Sequence, residues 1–234
     1  MRKISLIVYD FDGTLVDTLF DIADSVNLTL SEIGLPQLPR GTIRKYVGRG
    51  VERLMSQTLQ GSFFTDIPKA VSLFKKHYSE NLANHTDFYP YGREILQHFK
   101  NKNQAICSNK PEGFIHRILE SLNGLHYFDM VIGGDSMNSK KPNPEGLNFI
   151  LQRLNISADE ALLVGDSPVD IETGRRAGVY TCIVNFGLGF PNEIASAEPD
   201  CLIDSLSELK EMFFKKDLPK TLPYRLLTFA GKRR

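Results

Sequence analysis

The amino-acid sequence predicts an α/β fold: a doubly wound parallel sheet with a Rossmann-like core and an inserted helical domain. Three observations support this prediction. The first apolar segment, 4–9, is short and rich in β-branched residues, which is typical of a buried strand. Residues 17–85 then show helical periodicity with little strand signal. From residue 88 onward, helical and strand segments alternate, which is typical of parallel strands joined by right-handed crossovers.

The helical block begins with apolar residues spaced by three and four positions, which predicts an amphipathic helix ending near Gly34 and Pro36. These apolar residues are Leu19, Ile22, Ala23, Val26, Leu30 and Ile33. Two short helices separated at Gly48-Arg49-Gly50 follow, and a further helix spans 67–82. We expect this helical cap domain, residues 17–87, to enter the chain directly after the first strand.

The alternating segment predicts the rest of the core. The predicted helices are 93–100, 112–122, 144–154 and 169–177, and the predicted strands are 104–108, 130–133, 161–165 and 179–184. A late strand over 200–203 and a helix over 205–214 follow. We therefore assign the core domain to residues 1–16 and 88–214, and the remaining residues, 215–234, to a basic C-terminal tail.

The chain of 234 residues is 41% hydrophobic and has a formal net charge of zero, which is typical of a globular protein and excludes global disorder. The charge is unevenly spread. The C-terminal tail holds seven basic residues and one acidic residue, so its net charge is +6 and that of the remaining chain is −6. An acidic body suits a metal site and argues against nucleic-acid binding.

The three cysteines are far apart in the sequence and form no CxxC motif, which indicates a reducing compartment and hence a cytoplasmic protein. The first apolar segment ends at Asp10 and is too short for the hydrophobic region of a signal peptide. No segment approaches the length of a membrane span, so we expect no membrane partner. A monomer and a homodimer remain the alternatives for assembly.

Polar side chains follow four of the predicted strands, at the edge of a parallel sheet where ligands bind. In chain order they are Asp10, Asp12, Gly13 and Thr14; Ser108, Asn109 and Lys110; Gly134, Asp135 and Lys141; and Asp166, Ser167 and Asp170. Carboxylates, a hydroxyl, an amide and a lysine together suit a phosphate group bound with a hard divalent cation.

These segments resemble the four ordered motifs of the haloacid dehalogenase superfamily of phosphohydrolases. The matching residues are Asp10-Phe11-Asp12-Gly13-Thr14, Ser108-Asn109, Lys141 before Pro142, and Gly165-Asp166-Ser167 with Asp170. The aspartate pair alone is a weak signal, whereas the ordered set extends over residues 1–205 and is specific. The resemblance implies a doubly wound sheet, with the helical domain in the place of the family's mobile cap.

The resemblance also implies a mechanism. Asp10 corresponds to the nucleophile that forms an aspartyl-phosphate, and Asp12 to the general acid and base. The cofactor is expected to be Mg²⁺, held by Asp10, the backbone carbonyl of Asp12, and Asp166. Asp170 is expected to belong to the metal site, either as a direct ligand or by orienting a metal-bound water or Asp166 itself, with helix capping as its alternative role.

Further residues are expected to bind the phosphate. The Ser108 hydroxyl and the Asn109 amide would contact phosphoryl oxygens, and Lys141 would balance the negative charge of the nucleophile and the transferring group. Gly13 and Thr14 would present backbone N–H groups, as turns that bind anions do.

Other titratable residues carry no predicted role. Lys110 is expected to lie at the surface and outside the catalytic machinery, and Lys140 is expected to face solvent beside Lys141. The five histidines show no metal-ligand spacing.

The helical domain is expected to select the leaving group, because the sheet edge contacts only phosphate and metal. Val47-Gly48-Arg49-Gly50 predicts a tight turn near the ligand, and the Arg49 guanidinium suits a carboxylate. The turn, together with Asp12-Gly13-Thr14-Leu15-Val16-Asp17-Thr18 and Ser108-Asn109-Lys110-Pro111, is similar to the bacterial phosphoglycolate phosphatases. The resulting hypothesis is hydrolysis of a small phosphorylated metabolite, 2-phosphoglycolate, with Arg49 binding its carboxylate.

Several alternatives remain. Cap-bearing pyrophosphatases and broad sugar-phosphate phosphatases are open, whereas a β-phosphoglucomutase is disfavoured because its Gly-x-Ser-Arg element is replaced here by Gly48-Arg49-Gly50-Val51. A phospho-accepting receiver domain would be shorter and would lack both the helical domain and a partner such as Asp12. A binding protein without activity would lack one of the motif residues, and none is lost.

Overall fold

The computed structural model describes residues 4–212, so the predicted basic tail and the end of the last predicted helix lie outside the described residues. The strands are β1 (Leu6–Tyr9), β2 (Val16–Asp17), β3 (Asp87–Phe88), β4 (Asn103–Cys107), β5 (Met130–Ile132), β6 (Ala161–Gly165), β7 (Tyr180–Val184) and β8 (Cys201–Ile203). The α-helices are α1 (Leu19–Glu32), α2 (Arg40–Arg44), α3 (Val51–Thr58), α4 (Ile67–Asn81), α5 (Gly92–His98), α6 (Glu112–Ser121), α7 (Glu145–Leu154), α8 (Pro168–Ala177), α9 (Pro191–Ala197) and α10 (Glu208–Met212).

Six parallel strands form the main sheet in the order β5-β4-β1-β6-β7-β8. The chain builds outward from β1 in one direction through β4 and β5, and in the other through β6, β7 and β8. The strand order therefore reverses between β1 and β6, which is where a doubly wound sheet opens a crevice for ligands. The predicted fold class is confirmed.

The side chains of β1 explain why this strand is central. All four are fully buried, and they alternate between the two faces of the sheet. Ile7 and Tyr9 pack into one hydrophobic cluster, while Leu6 and Val8 pack into another that includes residues of α7. A strand buried on both faces has no polar positions, which accounts for its uninterrupted apolar sequence.

Helices α1 to α4 form a helical segment, called the insert below, between β2 and β3. The apolar stripe of α1 is buried, and it packs with α4 residues such as Phe74 and Tyr78 in one cluster. The insert joins the core through an antiparallel pair in which Val16 lies opposite Phe88 and Asp17 opposite Asp87.

The pair β2–β3 and helix α9 were not predicted. Strands of two residues are too short to show alternation, so the sequence carries no pattern that would identify them. The predicted domain boundaries fall on this pair, and the division into a core domain and a cap domain stays a prediction. Among residues 4–212, no helix has both the length and the apolar character needed to cross a membrane.

Candidate active site

The predicted site lies at the carboxyl ends of β1 and β6, which pair in parallel register with Tyr9 opposite Val164. The pairing continues one residue beyond β1, because the Asp10 N–H donates to the Val164 carbonyl over 2.8 Å. Asp10 and Asp166 therefore leave neighbouring strands side by side, and both are buried.

A group of three carboxylates lies at this edge. Asp10, Asp166 and Asp170 each offer one oxygen, and these oxygens lie within 4.8 Å of one another. Burial, together with the neighbouring charge of Asp170, raises the pKa of Asp10 to about 6 and the pKa of Asp166 well above its usual range. The cluster carries more negative charge than one lysine neutralises, so a hard divalent cation fits its oxygen donors.

Lys141 is the cation built into this cluster. Its Nζ lies 3.0 Å from Asp10 Oδ1 and 2.6 Å from Asp170 Oδ1, and its side chain is 3% exposed. Burial disfavours the charged ammonium, but the two carboxylates outweigh burial and raise the pKa of Lys141. Lys141 is therefore charged and holds the predicted nucleophile in place.

Asp170 caps a helix and also binds groups of the site, and its expected role at a metal stays a prediction. Its Oδ2 accepts hydrogen bonds from the backbone N–H of Asp166 (3.2 Å) and Ser167 (3.1 Å), which caps α8 in a capping box with Ser167. Its Oδ1 accepts the Lys141 bond described above. Asp170 thus fixes both Lys141 and the backbone of Asp166.

A loop after β7 supports Asp166 from the other side. The Leu188 N–H donates to Asp166 Oδ2 over 2.6 Å, and the Gly189 N–H over 3.3 Å. Gly13 packs against the same carboxylate with a φ of +83°, and a Cβ there would collide with Asp166 and Leu188. This position therefore requires glycine.

Arg44 of α2 binds the carbonyl side of that loop. Its guanidinium donates to the carbonyls of Gly187 (2.9 Å), Leu188 (3.1 Å) and Gly189 (3.3 Å). A side chain of the insert and a carboxylate of the core therefore contact opposite sides of the same short loop.

Asp12 has different partners from Asp10. Its Oδ1 accepts hydrogen bonds from the Thr18 hydroxyl (2.7 Å) and from Lys110 Nζ (3.0 Å). Lys110 Nζ also donates to the Tyr78 hydroxyl over 2.7 Å, and Tyr78 belongs to α4 of the insert. Asp12 therefore lies at the boundary between the core and the insert.

Two cavities adjoin the aspartate pair. The first, called the small cavity, has a volume of 40 Å³ and is lined by Asp10, Asp12 and Ser108 on the core side and by residues of the insert above. The second, called the large cleft, has a volume of 600 Å³ and is lined by Asp12, Asp166 and Arg49 among others. Asp12 lines both cavities.

This geometry agrees with comparisons to known proteins. The sequence model described as haloacid dehalogenase-like hydrolase matches residues 7–184.

The chain belongs to this family.

Relatives of this haloacid dehalogenase-like hydrolase support a narrower class. It is 36% identical over 209 residues to the phosphoglycolate phosphatase of Aquifex aeolicus, covering 88% of this chain and 95% of the relative. It is 34% identical to that of Vibrio parahaemolyticus, with 90% and 96% covered. A crystal structure from Haemophilus somnus, described as a predicted phosphoglycolate phosphatase, aligns with a TM-score of 0.84 at 28% identity, covering 91% and 99%. The prediction of an enzyme of the phosphatase class is confirmed.

Ser108 and Asn109 of the hydrolase both lie in the site, but in different settings. Ser108 is buried, and its hydroxyl lowers the pKa of the neighbouring Asp10. The Asn109 amide instead binds backbone: it accepts from the Lys141 N–H over 2.8 Å and donates to the carbonyls of Lys141 and Gly48, each over 3.0 Å. Asn109 positions Lys141, and its expected contact with phosphate stays a prediction.

The expected role of Gly13 and Thr14 does not match the turn that contains them. The Gly13 N–H donates to the Val16 carbonyl over 3.0 Å, and the Thr14 N–H to the Phe11 carbonyl over 3.4 Å. Both N–H groups are used within the turn because the chain must reverse sharply between β1 and β2. They shape the site around Asp12 instead of pointing to a ligand.

Arg49 is exposed and lines the large cleft, on the side of Asp166. The turn that carries it has the predicted geometry, since Gly48 and Gly50 have φ values of +102° and +86°. Within residues 4–212, no ion pair or hydrogen bond involves the Arg49 side chain. Its expected contact with a substrate carboxylate stays a prediction.

The expectation that Lys110 lies at the surface is wrong. Its side chain is 4% exposed and directly contacts Asp12. A lysine just after a strand resembles an ordinary surface residue, and its burial depends on Tyr78, which lies far away in the chain. The signal that could have identified it is its place in Ser108-Asn109-Lys110-Pro111, within the resemblance itself.

Proposed function

We propose that the protein is a Mg²⁺-dependent phosphomonoesterase that hydrolyses 2-phosphoglycolate through an aspartyl-phosphate on Asp10. The observation that carries this proposal is the separation of partners between Asp10 and Asp12. Asp10 is bound by Lys141 at the carboxylate cluster, whereas Asp12 is bound by Thr18 and Lys110 beside the small cavity. Two carboxylates two residues apart are thereby suited to two different tasks.

In the first step, a carboxylate oxygen of Asp10 attacks phosphorus and forms an acyl phosphate, while the bond from phosphorus to the leaving oxygen breaks. The Asp12 carboxyl donates a proton to that leaving oxygen, so the alcohol departs neutral. Lys141 neutralises part of the charge that builds between the nucleophile and the phosphoryl oxygens. A bound Mg²⁺, held by Asp10, Asp166 and the Asp12 carbonyl, would further screen the repulsion between two anions.

In the second step, the Asp12 carboxylate takes a proton from a water molecule whose oxygen attacks phosphorus. The bond between phosphorus and Asp10 breaks, which releases inorganic phosphate and restores the Asp10 carboxylate. Proton transfer by a positioned carboxylate is worth on the order of 10²–10⁴-fold in rate. Thr18 and Lys110 hold Asp12 in position for both transfers.

The names of the relatives and the volume of the small cavity support phosphoglycolate as the substrate. The small cavity has a volume of 40 Å³, against 600 Å³ for the large cleft. A two-carbon leaving group suits the smaller space better than a hexose does.

The first test is phosphate release from 2-phosphoglycolate, pyrophosphate and a panel of sugar phosphates, with Mg²⁺ and with EDTA. We expect fastest turnover of 2-phosphoglycolate and none in EDTA. Faster turnover of pyrophosphate or a sugar phosphate would identify that compound as the substrate in place of 2-phosphoglycolate. No turnover of any compound would refute the phosphatase proposal for this chain.

The second test concerns the two steps. We expect Asp12→Ala with p-nitrophenyl phosphate to release about one equivalent of nitrophenolate rapidly and then to stop, because this leaving group needs no proton. Mass spectrometry should locate the phosphate on Asp10. Steady turnover without a burst, or a phosphate on another residue, would contradict the assigned roles.

A further inference from the structure

One side chain that lines the small cavity is a candidate for binding an anionic leaving group. Among the described residues that line it, Lys110 is the one cationic side chain. Arg49, for which a carboxylate was expected, lines the large cleft instead. The two cations therefore line different cavities, and of the two only Lys110 lines the small cavity with Asp10 and Asp12.

The hydrogen bonds of Lys110 leave part of its capacity unused. An ammonium has three N–H donors, and Lys110 donates to Asp12 and to the Tyr78 hydroxyl. The third donor is available to a ligand in the cavity that Lys110 lines. Burial disfavours its charge, but Asp12 and Tyr78 together outweigh burial and raise the pKa of Lys110, so it is a cation at neutral pH.

Tyr78 offers a second donor beside it. Its hydroxyl oxygen accepts the Lys110 bond, which leaves its own O–H to donate. Burial raises the pKa of Tyr78 to about 12, so the phenol keeps this proton. Its ring stacks on Phe74 at 5.4 Å and meets Phe114 edge-on at 5.1 Å, which fixes its orientation.

About half of the residues that line the cavity are apolar. Its apolar residues are Ile22, Val47, Val51, Leu54, Phe74, Pro111 and Phe114. Sugar hydroxyls against such a wall would lose their hydrogen bonds to water without replacement. A carboxylate is also costly to bury, unless a buried cation pairs with it.

We propose that Lys110, assisted by the Tyr78 hydroxyl, binds the carboxylate of a short phosphorylated acid and thereby determines the substrate class. The inference rests on the proposed phosphatase function and makes the leaving group a two-carbon carboxylate. Because Tyr78 belongs to the insert and Lys110 to the core, this pair of donors is complete only while the insert packs on the core.

The test compares two substrates of equal length, 2-phosphoglycolate and 2-hydroxyethyl phosphate, in which a hydroxymethyl group replaces the carboxylate. For Lys110→Met we expect the ratio of their kcat/KM values to fall by about 100-fold, as loss of hydrogen bonds to a charged group predicts. Tyr78→Phe should lower the ratio by about 10-fold. Lys75→Met, an exposed charge on the same helix as Tyr78, serves as the matched control and should leave the ratio unchanged.

An equal loss on both substrates would overturn the inference, because Lys110 would then act only through Asp12. A ratio that falls in Arg49→Met and not in Lys110→Met would assign the carboxylate to Arg49 and also overturn it. If Lys110→Met does not fold, Tyr78→Phe decides alone, since it removes one hydroxyl and keeps the ring.

A binding measurement separates this inference from the proposed function. 3-Phosphonopropionate carries the same two anionic groups and cannot be hydrolysed, and propylphosphonate lacks its carboxylate. Calorimetry should show tighter binding of the first by the wild type and about equal binding of both by Lys110→Met. That result without any turnover would retain the inference and refute the hydrolase proposal. Turnover of 2-phosphoglycolate with equal binding of the two phosphonates by the wild type would retain the hydrolase proposal and overturn the inference.

Discussion

Two buried lysines lie at the active site, and their surroundings differ. Lys141 lies between Asp10 and Asp170, and all three residues belong to the core. Lys110 lies between Asp12 of the core and Tyr78 of the insert. The first arrangement is formed within the core, whereas the second requires two separate parts of the chain to pack together.

Under the proposed mechanism, this difference places the two lysines at different parts of the reaction. Lys141 contacts the predicted nucleophile, which would act on every substrate in the same way. Lys110 contacts the predicted proton donor and lines the cavity proposed for the leaving group, where substrates differ. Loss of Lys141 should therefore affect all substrates equally, and loss of Lys110 should distinguish between them.

The largest effect is expected for Lys141→Met. Activity should fall by about 10³-fold or more on every substrate, because the nucleophile loses its cation. Stability should fall by about 3–5 kcal/mol, since Asp10 and Asp170 remain buried without it. Steady-state kinetics and urea unfolding measure the two quantities.

Lys140→Met is the matched control for this change. Lys140 is the neighbour of Lys141, but its side chain is 37% exposed and it pairs with Glu52 of the insert. We expect both activity and stability to stay close to the wild type. A loss as large as that of Lys141→Met would remove the distinction between the two positions.

A smaller effect is expected for Arg44→Met, which detaches the insert from the 187–189 loop. Because the amides of this loop hold Asp166, the Mg²⁺ concentration for half-maximal activity should rise by about 10-fold. Arg44→Lys should not restore it, since a single ammonium does not reproduce a planar guanidinium that contacts three carbonyls.

Arg53→Met, an exposed arginine on the next helix, controls for loss of charge from the insert. An Mg²⁺ dependence in Arg44→Met equal to that of Arg53→Met would show that the insert does not influence Asp166. The core and the insert would then contribute independently to the site.

The smallest effect is expected for Glu52→Gln, which breaks the 2.7 Å ion pair between α3 and Lys140. Exposed pairs contribute about 0.2–1 kcal/mol, so activity should change by less than about twofold. The stability difference from the wild type should vanish near 1 M salt, where the screening length is about 3 Å. A loss of stability that does not depend on salt would mean that this ion pair behaves as a buried contact between the core and the insert.

The clustering of side chains on the core side of the site could be predicted from the sequence because its determinants are local. Each of Asp10, Ser108 and Asp166 directly follows a strand, and parallel register brings those strand ends together. The family resemblance then separated Lys141 from its neighbour Lys140, a distinction that composition cannot make.

The boundary with the insert could not be predicted in the same way. The burial of Lys110 depends on Tyr78, and the role of Arg44 depends on carbonyls more than 140 residues away. No periodicity or spacing links such positions. The expected role of the Gly13 and Thr14 N–H groups failed for a related reason. Both groups donate to carbonyls within the turn, and the motif alone does not reveal these hydrogen bonds.

The hydrogen bonds of the Asn109 side chain affect how precisely Lys141 is positioned. Its amide pairs with both the N–H and the carbonyl of Lys141, as a peptide group of one strand pairs with that of the next. The side-chain amide thereby takes the place of a backbone peptide group, and strand-like hydrogen bonding continues into the loop that carries Lys141. Only asparagine and glutamine carry such a group, so aspartate or serine at position 109 would leave Lys141 on an ordinary, less constrained loop.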